Sequence, residues 1–522
     1  FYAQGGYFAD NTSVKFITFG GKENTYHAWN YASKEEMEKY GRRFNSCGMY
    51  TDDDGNIRFY KDQTDNYLQM NYQLLLNHTF SPEWNLNAAL HYTKGDGYYQ
   101  EYKEDRTLKE YRLPPFMHDG KEVDKSDLIR QKKMDNHFGG GVFSVNYQNG
   151  KLNASLGGAL NHYDGWHFGR VIWVKNYIGE LLPDHEYYRN KAKKTDGNLY
   201  LKANYNLVAG LNAYADLQYR YINYKINGDN DKFDYNADAL QKLAVNDHFN
   251  FFNPKAGLNW DIDANNRVYA SFSIAQKEPT RNNYTDGNAD EYPKAEKLLD
   301  YELGYTYRNT WLSAGANFYY MDYKDQLVLT GELNEIGEAM ARNVPDSYRM
   351  GVELMLGVKP CQWFQWDING TLSKNRVKNF TEKLYEDEWK NPIEVSHGNT
   401  PIAFSPDLIL NNRFSFSYRG FEAALQSQYV SKQYMSNARQ ADQTLDAYFV
   451  SNLNLAYTFK LPHVKSVTAG FTIYNLFNAE YENNGYAGSG YKIVKGEVER
   501  YNYAGYAAQA GTNVMGNISI RF

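Results

Sequence analysis

The chain has 522 residues, a net charge of −6 and 16% aromatic residues, 49 of them tyrosine, with a mean hydropathy of −0.73. A near-neutral balance without a basic run excludes a nucleic-acid partner, and no stretch nears the roughly 18–20 apolar residues of a membrane-spanning helix. A hydrophilic chain this dense in aromatics suits strands that wet one face and grease the other better than it suits a large soluble core, a propeller or a tandem sandwich.

From the N-terminus, Phe1-Tyr2-Ala3-Gln4 reads directly into a strand with no signal-peptide pattern. Short turns then recur at Ala9-Asp10-Asn11, Ser81-Pro82-Glu83, Gln148-Asn149-Gly150, Val208-Ala209-Gly210, Asp263-Ala264-Asn265, Arg308-Asn309-Thr310 and Tyr418-Arg419-Gly420. These are residues that close hairpins. Between them lie long polar stretches, roughly 23–63, 98–134, 166–194, 229–247, 277–296, 326–344, 376–405 and 478–512, which read as long loops. Leu312, Ala314, Ala316, Phe318 and Tyr320 alternate with Ser313, Gly315, Asn317 and Tyr319; the same period returns at 467–474 and at 514–522. A period of two places the apolar set on one face and the polar set on the other.

This pattern predicts an all-β, transmembrane antiparallel β-barrel occupying 1–522, with long loops outside the cell and short turns in the periplasm. About nineteen strands are expected. An odd number cannot close a single-chain bacterial barrel, so at least one strand, and on the preferred count three, is expected N-terminal to Phe1. Cys47 falls in an external stretch and Cys361 at a periplasmic turn, too far apart for a disulfide across a band about 25 Å tall.

Three stretches carry a resemblance: Phe252-Asn253-Pro254-Lys255-Ala256-Gly257-Leu258, with Arg267–Ser273 and Lys277-Glu278-Pro279-Thr280-Arg281; Glu296-Lys297-Leu298-Leu299-Asp300-Tyr301-Glu302-Leu303-Gly304; and Ile473-Tyr474-Asn475-Leu476-Phe477-Asn478-Ala479-Glu480-Tyr481. In this order, and with the terminal Phe522, they resemble the barrels of TonB-dependent outer-membrane receptors. Gly21–Trp29 and Gly95–Lys103 are similar in style to receptors of the Bacteroides group. The resemblance implies a 22-strand barrel of which strands four to 22 are present, with the plug, the TonB-contacting N-terminal segment and the opening strands outside this chain. It also implies an outer-membrane location, among lipid and lipopolysaccharide, a small-molecule ligand and a possible surface lipoprotein partner.

No enzyme site emerges. His185-Glu186-Tyr187-Tyr188-Arg189 starts like a zinc-protease motif but carries Arg where the second His belongs. Asp52-Asp53-Asp54-Gly55-Asn56 starts like a calcium loop, yet Gln63 stands at position twelve in place of Glu; Asp52 and Asp54 remain weak candidates for a loosely held Ca²⁺, and no other cofactor is expected. No phosphate-binding glycine loop and no Gly-x-Ser-x-Gly is present. The candidate ligand-binding residues are the loop aromatics and their neighbours: Tyr26, His27 and Trp29; Tyr98 and Tyr99; Trp166, His167 and Arg170. Such a set suits a rigid, partly apolar ligand with polar edges, although an interface girdle or loop packing is the more ordinary explanation of any single one of them. The expected function is TonB-dependent uptake of a scarce nutrient, first a ferric siderophore or haem, then cobalamin; a passive porin or an adhesin is the alternative from another class.

Overall fold

Alternation of side chains sets the two faces of each strand in the computed structural model, which describes residues 1–179, 181, 185–235, 237–286, 292–334, 338–386 and 390–522. Parts of five of the long stretches named above, 166–194, 229–247, 277–296, 326–344 and 376–405, lie outside the described residues. No helix among the described residues is long and apolar enough to cross a membrane. The chain divides into two units, Phe1–Asn30 with Asn45–Tyr205 and Ala215–Pro254, and Tyr31–Phe44 with Asn206–Tyr214 and Lys255–Phe522.

The first unit is an antiparallel meander. Tyr2–Phe8, Thr12–Tyr26, Thr64–Thr79, Trp84–Thr107, Lys125–Gln148, Leu152–Val174 and Glu186–Val208 each pair with the next. The short turns expected at 9–11, 81–83 and 148–150 join these strands. Phe16, Leu74, Leu90, Leu160 and Leu201 are exposed on the apolar face. On the other face, Thr93 Oγ1 donates to Asn71 Oδ1 at 2.9 Å and Ser155 Oγ to Asn146 Oδ1 at 2.6 Å.

The apolar face carries two aromatic rows. Trp84 meets Tyr147 at 4.7 Å beside the short turns, and Tyr72 meets Tyr92 at 6.1 Å eight residues farther along. At about 3.3 Å per residue and a tilt near 40°, eight residues rise roughly 20 Å, close to the thickness of an outer-membrane apolar band.

The second unit repeats the scheme. Asn266–Lys277, Glu296–Arg308, Leu312–Leu333, Ala339–Cys361 and Phe364–Glu386 pair in sequence, and Leu408–Tyr418, Phe421–Val430, Tyr448–Leu461, Val464–Tyr474 and Asn513–Arg521 continue it. Phe318 and Tyr320 are exposed on one face while Asn317 is buried on the other, as their alternation requires. This unit has aromatic rows of its own, Tyr301, Tyr320 and Tyr348 remote from its short turns, and Trp363 and Phe416, 5.4 Å apart, beside those turns.

With Leu211–Asp234, Ala239–Asp261 and Lys390–Pro401 added, these strands number twenty among the described residues, against about nineteen expected. Lys390–Pro401 and Leu408–Tyr418 both pair with Phe364–Glu386, at different heights. The break between them contains Pro406 and a left-handed Phe404 with φ +52°, and Ala403 N donates there to Asn437 Oδ1 at 2.8 Å. An odd count is reached only when this split lane counts once.

The long polar stretches differ most from expectation. Trp84–Thr107, Lys125–Gln148, Leu152–Val174 and Glu186–Val208 are 23 or 24 residues long, where roughly 9–11 residues cross a membrane. Much of what reads as loop is therefore paired strand. Beyond an apolar band both faces tolerate polar side chains, so the period-two signal fades while main-chain pairing continues.

The Asn-Leu-Phe-Asn element has a physical role. Asn475 and Asn478 both adopt left-handed φ values, +48° and +52°. Asn475 Nδ2 donates to Ala479 O at 2.8 Å and Ala510 O at 3.1 Å, and its Oδ1 accepts from Ala479 N at 2.8 Å. The side chain closes a turn and ties it to the segment leading into the last strand. Asn475→Ala is expected to cost about 2 kcal/mol, from lost hydrogen bonds and a left-handed position without Asn; urea unfolding in detergent measures it, and an unchanged midpoint refutes the role.

Candidate functional site

The strand ends remote from the short turns hold the predicted site residues, and pairing register sorts them. Tyr98 opposes Lys133, and Lys133 opposes Phe168; Trp166 and Phe168 oppose Lys191 and Arg189. These residues continue the apolar face, and so does Arg170, two residues beyond Phe168. Tyr99 and His167 point to the opposite face. Tyr26 ends its strand on the apolar-face side and is exposed. The eight candidates thus form two groups on opposite faces, and Tyr98, Tyr99, Trp166, His167 and Arg170 sit on strands, not loops.

His27, Trp29 and Tyr99 are brought together. The His27 ring stacks on Trp29 with centroids 3.7 Å apart; Tyr99 meets both edge-on, at 5.9 and 5.6 Å. Gln63 O accepts from His27 N at 3.0 Å, and Asn45 Nδ2 donates to His27 O at 2.8 Å. His27 is only 3% exposed, and neither ring nitrogen has a hydrogen-bond partner among the described residues. Burial lowers its pKa from 6.5 to about 4, against an opposing pull from Glu101. The trio packs the first outer segment down and leaves the imidazole closed to a ligand.

A depressed histidine pKa favours the neutral folded form, so its stabilising contribution is complete above about pH 6.5 and drains away as pH falls through 4. The opening constant of residues 27–63, taken from amide exchange after division by the intrinsic rate at each pH, is therefore expected to rise as pH falls from 6.5 to 4, and His27→Phe to flatten that dependence. An unchanged slope in His27→Phe removes the assignment.

Behind Tyr99 lies a buried ion cluster. Arg130 Nε donates to Glu101 Oε2 at 2.9 Å and Arg130 Nη1 to Tyr111 Oη at 3.2 Å. Lys103 Nζ is 3.1 Å from Glu101 Oε1, and Lys132 pairs with Asp231. Burial opposes ionisation of Glu101, but Arg130, Lys103 and Lys132 outweigh it and hold the carboxyl well below the usual range. Leu108, Tyr111, Leu113, Phe116, Leu128 and Tyr187 pack an apolar core beside it.

In the second unit, Arg500 grips Glu382 with both terminal nitrogens, at 2.6 and 2.9 Å. His397 Nε2 lies 2.8 Å from the same carboxylate. Arg500 Nη2 also donates to Ser489 Oγ at 2.7 Å, and Asn502 Nδ2 reaches Asp442 at 3.0 Å. This network is partly accessible, and polar residues of this kind orient a ligand. Its partners come from separate strands 118 residues apart, so no local sequence signal marks them.

No metal centre assembles: no group of three or more His, Cys, Asp or Glu residues gathers among the described residues. Asp52 Oδ1 accepts from Asn56 N at 2.8 Å and Asp54 N at 3.1 Å, and its Oδ2 accepts from Arg58 Nε at 2.8 Å. The Arg58 hydrogen bond lowers the Asp52 pKa. Both Asp52 carboxylate oxygens take part in closing this turn. His185 Nε2 lies 2.8 Å from Tyr111 O and Glu186 bonds Arg189, both structural contacts. Cys47 and Cys361 are free thiols.

The TonB dependent receptor-like, beta-barrel family matches residues 6–476. The chain belongs to that family. The pesticin receptor of Yersinia enterocolitica is 25% identical over 225 residues, 42% of this chain and 30% of the receptor, so the match spans less than a third of that relative. Among solved structures, the siderophore receptor PiuA of Acinetobacter baumannii aligns with a TM-score of 0.67 at 12% identity, over 100% of this chain and 74% of that one. The ferric yersiniabactin uptake receptor FyuA of Yersinia pestis aligns with a TM-score of 0.64 at 14% identity, over 98% and 68%. At these identities the likeness is one of fold.

Proposed function

We propose that the chain forms the wall of an outer-membrane receptor that takes up a scarce nutrient, a ferric siderophore or haem, with energy delivered through TonB. The family match across residues 6–476 carries this reading. A siderophore receptor and a ferric yersiniabactin uptake receptor of the same fold support the ligand class. Further chain N-terminal to Phe1 completes the wall, fills the lumen and contacts TonB; a barrel this wide is not filled by its own side chains. The accessible Arg500–Glu382–His397 network is the part of the outer surface best suited to meet the ligand's polar edge.

The test is uptake of radio-iron as siderophore and haem complexes, beside labelled cobalamin, in the native host with and without this gene and with and without TonB. Loss of iron uptake in both deletions is expected. Loss of cobalamin uptake alone replaces the ligand, and uptake indifferent to TonB replaces active transport with a passive pore.

A further inference from the structure

Four aromatic side chains and a carboxylate meet at the outer end of the first unit. The Tyr50 and Tyr102 rings stack with centroids 4.4 Å apart and planes 28° from parallel. Tyr60 and Trp173 approach Tyr102 at 5.9 and 6.0 Å, and Trp173 is exposed. Tyr50 arrives on a small hairpin, Met49–Thr51 paired with Ile57–Phe59, and Tyr102 on the strand Trp84–Thr107. Tyr102 lies ten residues beyond Tyr92, which on the outer-membrane reading puts the group clear of the apolar band and in reach of soluble oxidants.

The Tyr102 phenol is held by a base. Its Oη donates to Asp127 Oδ2 at 2.8 Å, and Asp127 Oδ1 accepts from Asp105 N at 3.0 Å. Lys175 Nζ stands 3.8 Å from Oδ2 but lies nearer to Asp53, at 2.6 Å. Glu104 adds a second negative charge nearby and accepts from Thr51 N at 2.7 Å. Burial first, then Asp127, raises the Tyr102 pKa, so the phenol keeps its proton. A protonated phenol that loses an electron becomes a strong acid, and its proton passes to the base already bonded to it.

The second unit offers a contrast. Tyr448 and Tyr481 stack nearly as closely, at 4.6 Å and 29°, and neither hydroxyl bonds a carboxylate among the described residues.

We propose that Tyr50 and Tyr102 are a site of oxidative cross-linking, joined as dityrosine by hydrogen peroxide and a one-electron oxidation catalyst, with Asp127 taking the Tyr102 proton. Exposed Trp173 relays the electron from Tyr102 to an oxidant at the surface. Each ring gives up one electron and its phenolic proton, Tyr102 to Asp127 Oδ2 and Tyr50 to water. The two phenoxyl radicals couple through carbons ortho to oxygen, forming one C–C bond. Rearomatisation then moves the two ortho hydrogens to the oxygens. One hydrogen peroxide takes up the two electrons and two protons and leaves as two waters. The product bolts the 49–59 hairpin to the strand beneath it.

Receptor purified from its native membrane is treated with a peroxidase and hydrogen peroxide, and digests are read by tandem mass spectrometry. The expected product is the Tyr50 and Tyr102 peptides joined with loss of two hydrogens, within a single chain. Asp127→Asn keeps a hydrogen-bond acceptor but is a far weaker base. It should lower the yield about tenfold, less than a positioned base usually contributes, because water also reaches the half-buried phenol. Asp127→Glu restores a base and should recover most of the yield, and Tyr50→Phe should abolish the link. Absence of the link, or a yield no higher than that of Tyr448–Tyr481, overturns the site. Equal yields in wild type and Asp127→Asn, or a yield in Asp127→Glu as low as in Asp127→Asn, overturn Asp127 as the proton acceptor. The test needs no transported nutrient, so its failure leaves the uptake reading standing.

Discussion

Arg130→Met should unseat the outer end of the first unit, raising the opening constant of the segment around Leu108–Tyr111 by two to three and a half orders of magnitude. Arg130 is 2% exposed and Glu101 fully buried, and the substitution strips the carboxylate of its nearest cation. Breaking a buried pair from one side costs about 3–5 kcal/mol, because the remaining charge stays out of water with too few partners. Lys103 remains 3.1 Å from Glu101 and keeps the loss toward the lower figure. Replacing both members tests the same physics in reverse. Glu101→Leu/Arg130→Met removes both charges and should return to within about 1 kcal/mol of wild type. Hydrogen exchange of the amides between 108 and 128 measures both variants. A double variant as unstable as Arg130→Met alone shows that packing and not charge is at stake.

Leu201→Arg should destabilise the folded chain in a bilayer by about 2–4 kcal/mol, the cost of a cation on the lipid face near the midplane of an outer-membrane wall. Leu201 is 50% exposed, opposite Leu156 on the apolar face. The neighbouring position supplies the control, since Lys202 already carries a charge at this height on the opposite face and opposes Ser155. Lys202→Gln should shift stability by less than about 0.5 kcal/mol. Folding titrations into lipid vesicles compare the two. Equal costs at 201 and 202 dismiss the lipid-facing assignment of the apolar face.

These two predictions mark where sequence and structure meet. Leu201 and Lys202 differ by one position, and period-two alternation alone assigns their faces. The short turns were equally readable, because Asn, Asp, Gly and Pro cluster where two strands must reverse. The outer ends were not: at Lys133, Arg170 and Arg189 both strand faces carry polar residues, alternation has no contrast left, and paired strand resembles loop. Of the eight candidate binding residues, His27 proved to be buried and Trp29 half-buried, both against Tyr99, and Trp166 and Arg170 lie on the opposite face from His167. Aromatic density located the outer ends but held no information about which way each ring points. The Arg500–Glu382 contact links residues 118 positions apart, a pairing that only the folded register creates.

The paired extensions beyond the aromatic rows have a consequence for how such a surface can change over time. Their ladders are held by main-chain bonds, as in the unbroken register from Trp84–Tyr147 to Lys103–Leu128, and main-chain bonds tolerate almost any side chain that is not proline. A surface under pressure from antibodies or phage can therefore trade its outward residues one by one while the register beneath stays fixed. Change on these extensions need not disturb the strand pairing that carries them.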